Sequence, residues 1–158
     1  MSQRVPEPEF DALYRELILD HYRSPRHHEP LAEPDVIAEG YNPLCGDEVE
    51  LRLTFDDNTV KDVSFHGRGC SISQASGSML TDVVIGKRID EAQRLIEQVQ
   101  EILTDADKEP PEELGDLEAL QGVAKFPVRV KCATLAWHTL ADGLKQREAG
   151  GVARHEEV

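Results

Sequence analysis

Val49-Glu50-Leu51-Arg52-Leu53-Thr54-Phe55, then Asp56-Asp57-Asn58, then Val60-Lys61-Asp62-Val63-Ser64-Phe65-His66, is the stretch that decides the architecture. Val49, Leu51, Leu53 and Phe55 alternate with Glu50, Arg52 and Thr54, a period of two that sets one strand face on a core and the other in water. Asp56-Asp57-Asn58 is turn chemistry, so the pattern predicts a hairpin returning through residues 60–66. Residues 36–41 supply a third strand. Upstream, Phe10, Leu13, Tyr14, Leu17, Ile18 and His21 recur at three- and four-residue steps, which predicts a helix from Glu9 that Ser24-Pro25 stops. Downstream, residues 71–85 read as a helix whose small side chains, Ala75, Ser76 and Gly77, pack closely against a neighbour, with Gly86 ending it. Helices follow at 89–103, at 116–122 (short) and at 128–148. This order predicts an α+β fold, a small antiparallel sheet of about three strands packed against several helices. One domain over residues 1–158 is expected, with 1–8 and 150–158 as flexible tails.

The composition narrows the function. Hydrophobic residues make up 39% and charged residues 30%, a balance suited to a soluble globular protein. The formal net charge of −14 leaves no basic stripe for phosphates, which argues against nucleic acid and against an anionic membrane surface. The first ten residues contain no apolar h-region, and no apolar run approaches the ~20 residues needed to span a bilayer. Three cysteines, an odd number, suit metal binding or catalysis better than a disulfide framework, which places the protein in the cytoplasm. Between Asp105 and Glu118, seven acids face one base, Lys108. With Pro110-Pro111 among them, this segment reads as an exposed excursion.

Each cysteine has a setting that suits a thiolate. Cys45 lies in Asn42-Pro43-Leu44-Cys45-Gly46-Asp47, on the loop entering the hairpin. Cys70 follows Gly67-Arg68-Gly69 on the loop leaving it, at the N-terminus of the next helix, where the dipole and free N–H groups lower a thiol pKa. The two loops emerge at the same end of the sheet. Cys132 falls in the first turns of the last helix, where core packing is as good a reading as metal ligation. With Asp47, the three cysteines make a Cys₃Asp set that suits tetrahedral zinc, although their separations match no zinc-finger spacing. Arg129 and Lys131 could offset the negative charge of such a complex, or could be solvated helix-start charges. Among the histidines, His21 reads as a satisfied core or boundary residue, and His27 and His28 as loop residues. His138 lies off the face of Cys132, and only His66, near the Cys70 loop, is a candidate of interest. Nucleotide-binding and nucleophile-elbow motifs are absent from the sequence.

Four stretches together are more specific than any one cysteine motif: LYRELILDHYRSPR (13–26), NPLCGDEVEL (42–51), GRGCSISQASGSML (67–80) and GDLEALQGVAKFPVRVKCATLAW (115–137). Through them the chain closely resembles the SufU family, zinc-dependent sulfur-transfer proteins of iron–sulfur cluster biogenesis related to the IscU scaffolds. Three features separate it from IscU: Lys131 replaces the histidine before the third cysteine, the acidic excursion looks like the SufU insertion, and the chaperone-binding segment is altered to Lys125-Phe126-Pro127-Val128-Arg129. The resemblance implies that Cys45, Asp47, Cys70 and Cys132 ligate Zn2+, that Arg129 sits near them, and that Cys45 is the catalytic sulfur acceptor. It implies a sulfurtransferase that takes persulfide sulfur from a SufS-type, pyridoxal-phosphate cysteine desulfurase, one of whose histidines displaces Cys45 from the metal. The sulfur would then pass to downstream iron–sulfur assembly proteins. Two other readings remain open: a scaffold for a transient [2Fe–2S] cluster, and a zinc-stabilised module that activates the desulfurase allosterically.

Overall fold

In the computed structural model, residues 12–105, 107–149 and 151–156 are described. The elements are α1 (Ala12–Arg23), β1 (Val36–Asn42), β2 (Asp47–Asp56), β3 (Thr59–Arg68), α2 (Ser71–Val84), α3 (Ile89–Thr104), a 3₁₀ segment (Glu112–Lys125), α4 (Pro127–Ala149) and β4 (Gly151–Glu156). The expected hairpin is β2–β3, antiparallel and turning where Asp57 takes a left-handed φ of 55°. Val49, Leu51 and Leu53 are buried on β2, while Glu50, Arg52 and Thr54 are only half-buried, as the alternation requires. β1 pairs antiparallel with β2, so the three-stranded antiparallel sheet packed against helices stands.

The sheet order is β3-β2-β1-β4, and β4 is an addition. Residues 151–156, expected to be a loose tail, run parallel to β1 from Val36↔Gly151 to Tyr41↔Glu156. The outer edge of β1 presents unpaired N–H and C=O groups, and α4 brings the chain back alongside it. Residues 1–8 and Phe10 lie outside the described residues.

The helices cover the sheet through close contacts at small residues. Ser76 Oγ donates to the Ala133 carbonyl (2.6 Å) and accepts from Trp137 Nε1 (3.1 Å), joining α2 to α4. A methyl group on Gly77 would lie 2.5 Å from Cζ and 2.6 Å from Cδ1 of Phe65, a ring that is itself buried on β3. α3 buries Ala92, Leu95, Ile96, Val99, Ile102 and Leu103, the stripe its spacing predicts.

The acidic excursion is less exposed than its charge suggests. The short helix expected at 116–122 lies inside the longer 3₁₀ segment, which kinks at Gly115 (φ 54°) and buries Leu114, Leu117, Leu120 and Val123. Its acids serve as tethers: Tyr14 donates to Glu118 Oε1 (2.6 Å), and Asp116 Oδ2 lies 3.2 Å from His21 Nε2. His21 is fully buried, with Nδ1 2.7 Å from Ser78 Oγ, and so is the satisfied core histidine its position on the stripe suggested.

Gly77→Ala is expected to destabilise the protein by about 1–3 kcal/mol, the usual cost of overpacking, because the Phe65 ring has no room to move. Urea unfolding followed by circular dichroism measures this, and an unchanged midpoint would show that the α2–β3 contact is loose.

Candidate metal centre

The β1–β2 turn presents Cys45. Asn42 holds this turn: its side-chain Oδ1 accepts the Leu44 N–H (3.1 Å), and its backbone carbonyl accepts the Gly46 N–H (2.8 Å). Gly46 takes φ 72°, which an L side chain rarely adopts, and Cys45 is left exposed at the tip. Asp47 opens β2 opposite Asn42 and is fully buried.

Cys70 caps α2. Its N–H donates to Asp47 Oδ1 (2.9 Å), and its sulfur accepts the Ser73 N–H (3.4 Å), one of the free donors at a helix start. The approach depends on Gly69, at φ 146°: a Cβ there would lie 2.9 Å from both Cα and Cγ of Asp47. A Cβ on Gly67 would likewise meet the Glu48 carbonyl. The two glycines therefore make room for the start of β2, Gly69 for a candidate ligand residue, Asp47. Cys132, on α4, is buried, with Sγ 3.4 Å from Cys45 Sγ and 3.9 Å from the Val128 carbonyl oxygen.

The structure thus brings the four expected residues together from three segments. One ligand atom from each of Cys45, Asp47 and Cys132 lies within 4.8 Å of the others. Cys70 stands beside this triad, with Sγ 4.0 Å from Asp47 Oδ2 and hydrogen-bonded to Cys132. Zn–S bonds of about 2.3 Å in a tetrahedron imply S···S separations of about 3.8 Å. The Cys45–Cys132 pair is slightly tighter than that, so a small outward shift accommodates the ion. Three sulfurs and one carboxylate oxygen also suit a borderline-soft cation, and the residues present fit zinc.

Cys70 and Cys132 share a proton unequally. The hydrogen bond from Cys132, helped by the Ser73 and Ile72 N–H groups, brings the Cys70 pKa down to about 7 against the cost of burial. Hydrogen bonding to Cys70, then burial, pushes the Cys132 thiol far above its ordinary value. Cys70 is the thiolate of the pair and Cys132 the thiol.

The other candidates divide. Arg129 is half-buried one turn before Cys132, on the same side of α4. Lys131 lines a groove of about 690 Å³ between α3 and α4, with Glu97, Glu101 and His138. His66 is exposed, with Nδ1 3.2 Å from the His28 carbonyl oxygen, and no histidine joins the cysteine cluster among the described residues. Sequence reasoning missed Asn42, whose side chain organises the Cys45 turn. Its sign was present in Asn-Pro-x-Cys, since asparagine bonds its own backbone two residues on. None of the described helices is long and apolar enough to cross a membrane.

Comparison with known proteins gives a consistent picture. A zinc-dependent sulfurtransferase SufU of Bacillus subtilis is 42% identical over 140 residues, covering 89% of this chain and 95% of its own. An iron–sulfur cluster assembly scaffold protein IscU of Streptococcus pyogenes is 42% identical over 134 residues, covering 85% of this chain and 84% of its own. A solved protein of Fervidobacterium islandicum AW-1 described as an iron–sulfur cluster assembly scaffold protein for the SUF system, FiSufU, superposes with a TM-score of 0.75 at 35% identity, over 82% of this chain and 94% of that one. A NifU-like N-terminal structure from Brucella abortus superposes at 0.80 with 27% identity, over 88% and 96%. The model of the NifU-like N-terminal domain matches residues 13–133, which include all three cysteines and Asp47, and the chain belongs to that family.

Proposed function

We propose that this chain is a zinc-dependent sulfurtransferase of iron–sulfur cluster assembly. It accepts sulfur on Cys45 from a SufS-type, pyridoxal-phosphate cysteine desulfurase and passes it onward. The observation that carries this reading is the inequality of the four donors. Asp47 and Cys132 are fully buried and Cys70 is half-buried at a helix cap, whereas Cys45 is exposed on a glycine-flanked turn. A purely structural zinc site is closed by its ligands. Here one sulfur can leave while three donors stay in place, and the Bacillus relative carries the matching name.

Bound zinc would keep the thiols deprotonated and shield them from oxidation. The chain's own residues then present Cys45. Its thiolate attacks the outer sulfur of the partner's persulfide, a Cys45–S bond forms as the partner's S–S bond breaks, and the partner's cysteine leaves as thiolate. Two exposed apolar side chains flank the site: Leu44, 69% exposed, precedes Cys45, and Val128, 66% exposed, lies one turn before Cys132. They supply an apolar rim for docking beside the nucleophile. The scaffold reading has the names of the streptococcal relative and of the Fervidobacterium structure in its favour; against it, Lys131 stands where the scaffolds carry a histidine.

Three outcomes follow. Cys45→Ala is expected to abolish the acceleration of desulfurase turnover while leaving the fold intact, read as alanine formed from cysteine; full acceleration by the variant would remove Cys45 from the chemistry. Leu44→Asp should weaken desulfurase binding by about tenfold or more in titration calorimetry, as loss of a central apolar contact does, and unchanged binding would place the docking surface elsewhere. Zinc affinity should fall with pH. Because Cys132 keeps its proton through neutrality, zinc must displace it on binding, and affinity should fall by at least about tenfold for each pH unit lost. Below about 7, where Cys70 is also protonated in the metal-free protein, the dependence should steepen by about one further proton. Chelator competition between pH 6 and 8 tests this, and a flat profile would contradict it.

A further inference from the structure

Four buried side-chain polar atoms lack a hydrogen-bond partner among the described residues: Asn42 Nδ2, Ser73 Oγ, Gln74 Nε2 and Gln98 Oε1. Gln98 lies on α3, away from the thiols, and its other amide atom donates to Glu113. The remaining three lie on the segments that carry the metal centre, and none is hydrogen-bonded to a sulfur in the metal-free arrangement. Asn42 stands three residues before Cys45, and Ser73 and Gln74 stand three and four residues after Cys70. Leaving a buried donor unpaired is costly, so such atoms on the segments that carry one site point to an acceptor they serve there.

The geometry indicates which acceptors these are. Asn42 Oδ1 is fixed by the Leu44 N–H, which turns the amide nitrogen the other way, at the buried end of the β1–β2 ladder opposite Asp47 and beneath the Cys45 turn. Gln74 follows Cys70 by one helical turn, its N–H bonded to the Cys70 carbonyl (3.1 Å). Helical side chains lean towards the N-terminus, so the Gln74 amide reaches back over the cap. Three thiolates and a carboxylate on one divalent ion leave excess negative charge, and the sulfurs carry most of it.

Resting on the metal-centre reading, we propose that Asn42 and Gln74 are positioning residues whose amide N–H groups donate to the metal-held thiolates, Asn42 to Cys45 and Gln74 to Cys70. Charge-assisted donors of this kind orient a ligand and disperse its charge, and their loss typically weakens metal binding by about 10–100-fold. The Asn42 donor also bears on release: it steadies the exposed sulfur without enclosing it.

The test uses Asn42→Asp, which keeps the acceptor for the Leu44 N–H, and Gln74→Leu, which keeps the volume. Each variant is compared with the parent in zinc competition against a chromophoric chelator and in the near-ultraviolet spectrum with Co2+. Zinc affinity should fall about tenfold or more in each. The sulfur-to-cobalt band should move to longer wavelength, because a sulfur without its donor gives up charge more readily. Metal-free Gln74→Leu should resist urea at least as well as the parent, since an unpaired amide is gone. Parental affinity and band in a variant overturn the role of that residue, and a less stable metal-free Gln74→Leu overturns the reading of its amide as unpaired. If the parent itself binds neither Zn2+ nor Co2+, the metal-centre reading fails, and this proposal with it.

Discussion

The hydrogen bond from the Cys70 N–H to Asp47 Oδ1 (2.9 Å) is the constraint on which the site depends. It joins the first residue of β2 to the cap of α2 across 23 residues of hairpin, and so fixes where two of the three cysteine-bearing segments meet. Gly69 makes the contact sterically available, and burial of Asp47 removes competition from water. α4 completes the arrangement by packing on both layers, on α2 through Ser76 and Trp137 and on β1 where Gly40 lies against Thr139. Cys132 is carried to the thiols by that packing.

Much of this was legible in the sequence, for physical reasons. A half-buried strand writes its two faces into alternate residues, so β2 and β3 could be read directly, and with them the convergence of Cys45, Asp47 and Cys70 at one sheet end. α2 and α3 announced themselves through small-residue and amphipathic patterns. β4 could not be read, because a six-residue segment joins a sheet edge through backbone groups that every residue except proline carries alike. The 3₁₀ segment was obscured by its own charge: Leu114 and Leu117 are buried among acids that bond to α1 or α3 or face water.

At the candidate site, ligand types were legible and orientations were not. Lys131, adjacent to Cys132 in sequence, lines the groove between α3 and α4, a placement that the sequence does not encode. The use of Gly69 was also hidden, since a glycine shows only that space is needed and Asp47 fills it here. The ionisation pattern arises from the assembled pair: Cys70 becomes the thiolate because a helix start and a second thiol both donate to it.

The family is shown by similarity across most of the chain, and the central claim is narrower: the exposed sulfur of Cys45 receives sulfur. Peptide mass analysis of the zinc-loaded protein, after incubation with its desulfurase and free cysteine, tests this most directly. One additional sulfur atom on the peptide carrying Cys45, formed without iron, is the expected result. Stimulated desulfurase turnover with that peptide never modified would contradict it and assign the chain a purely activating role.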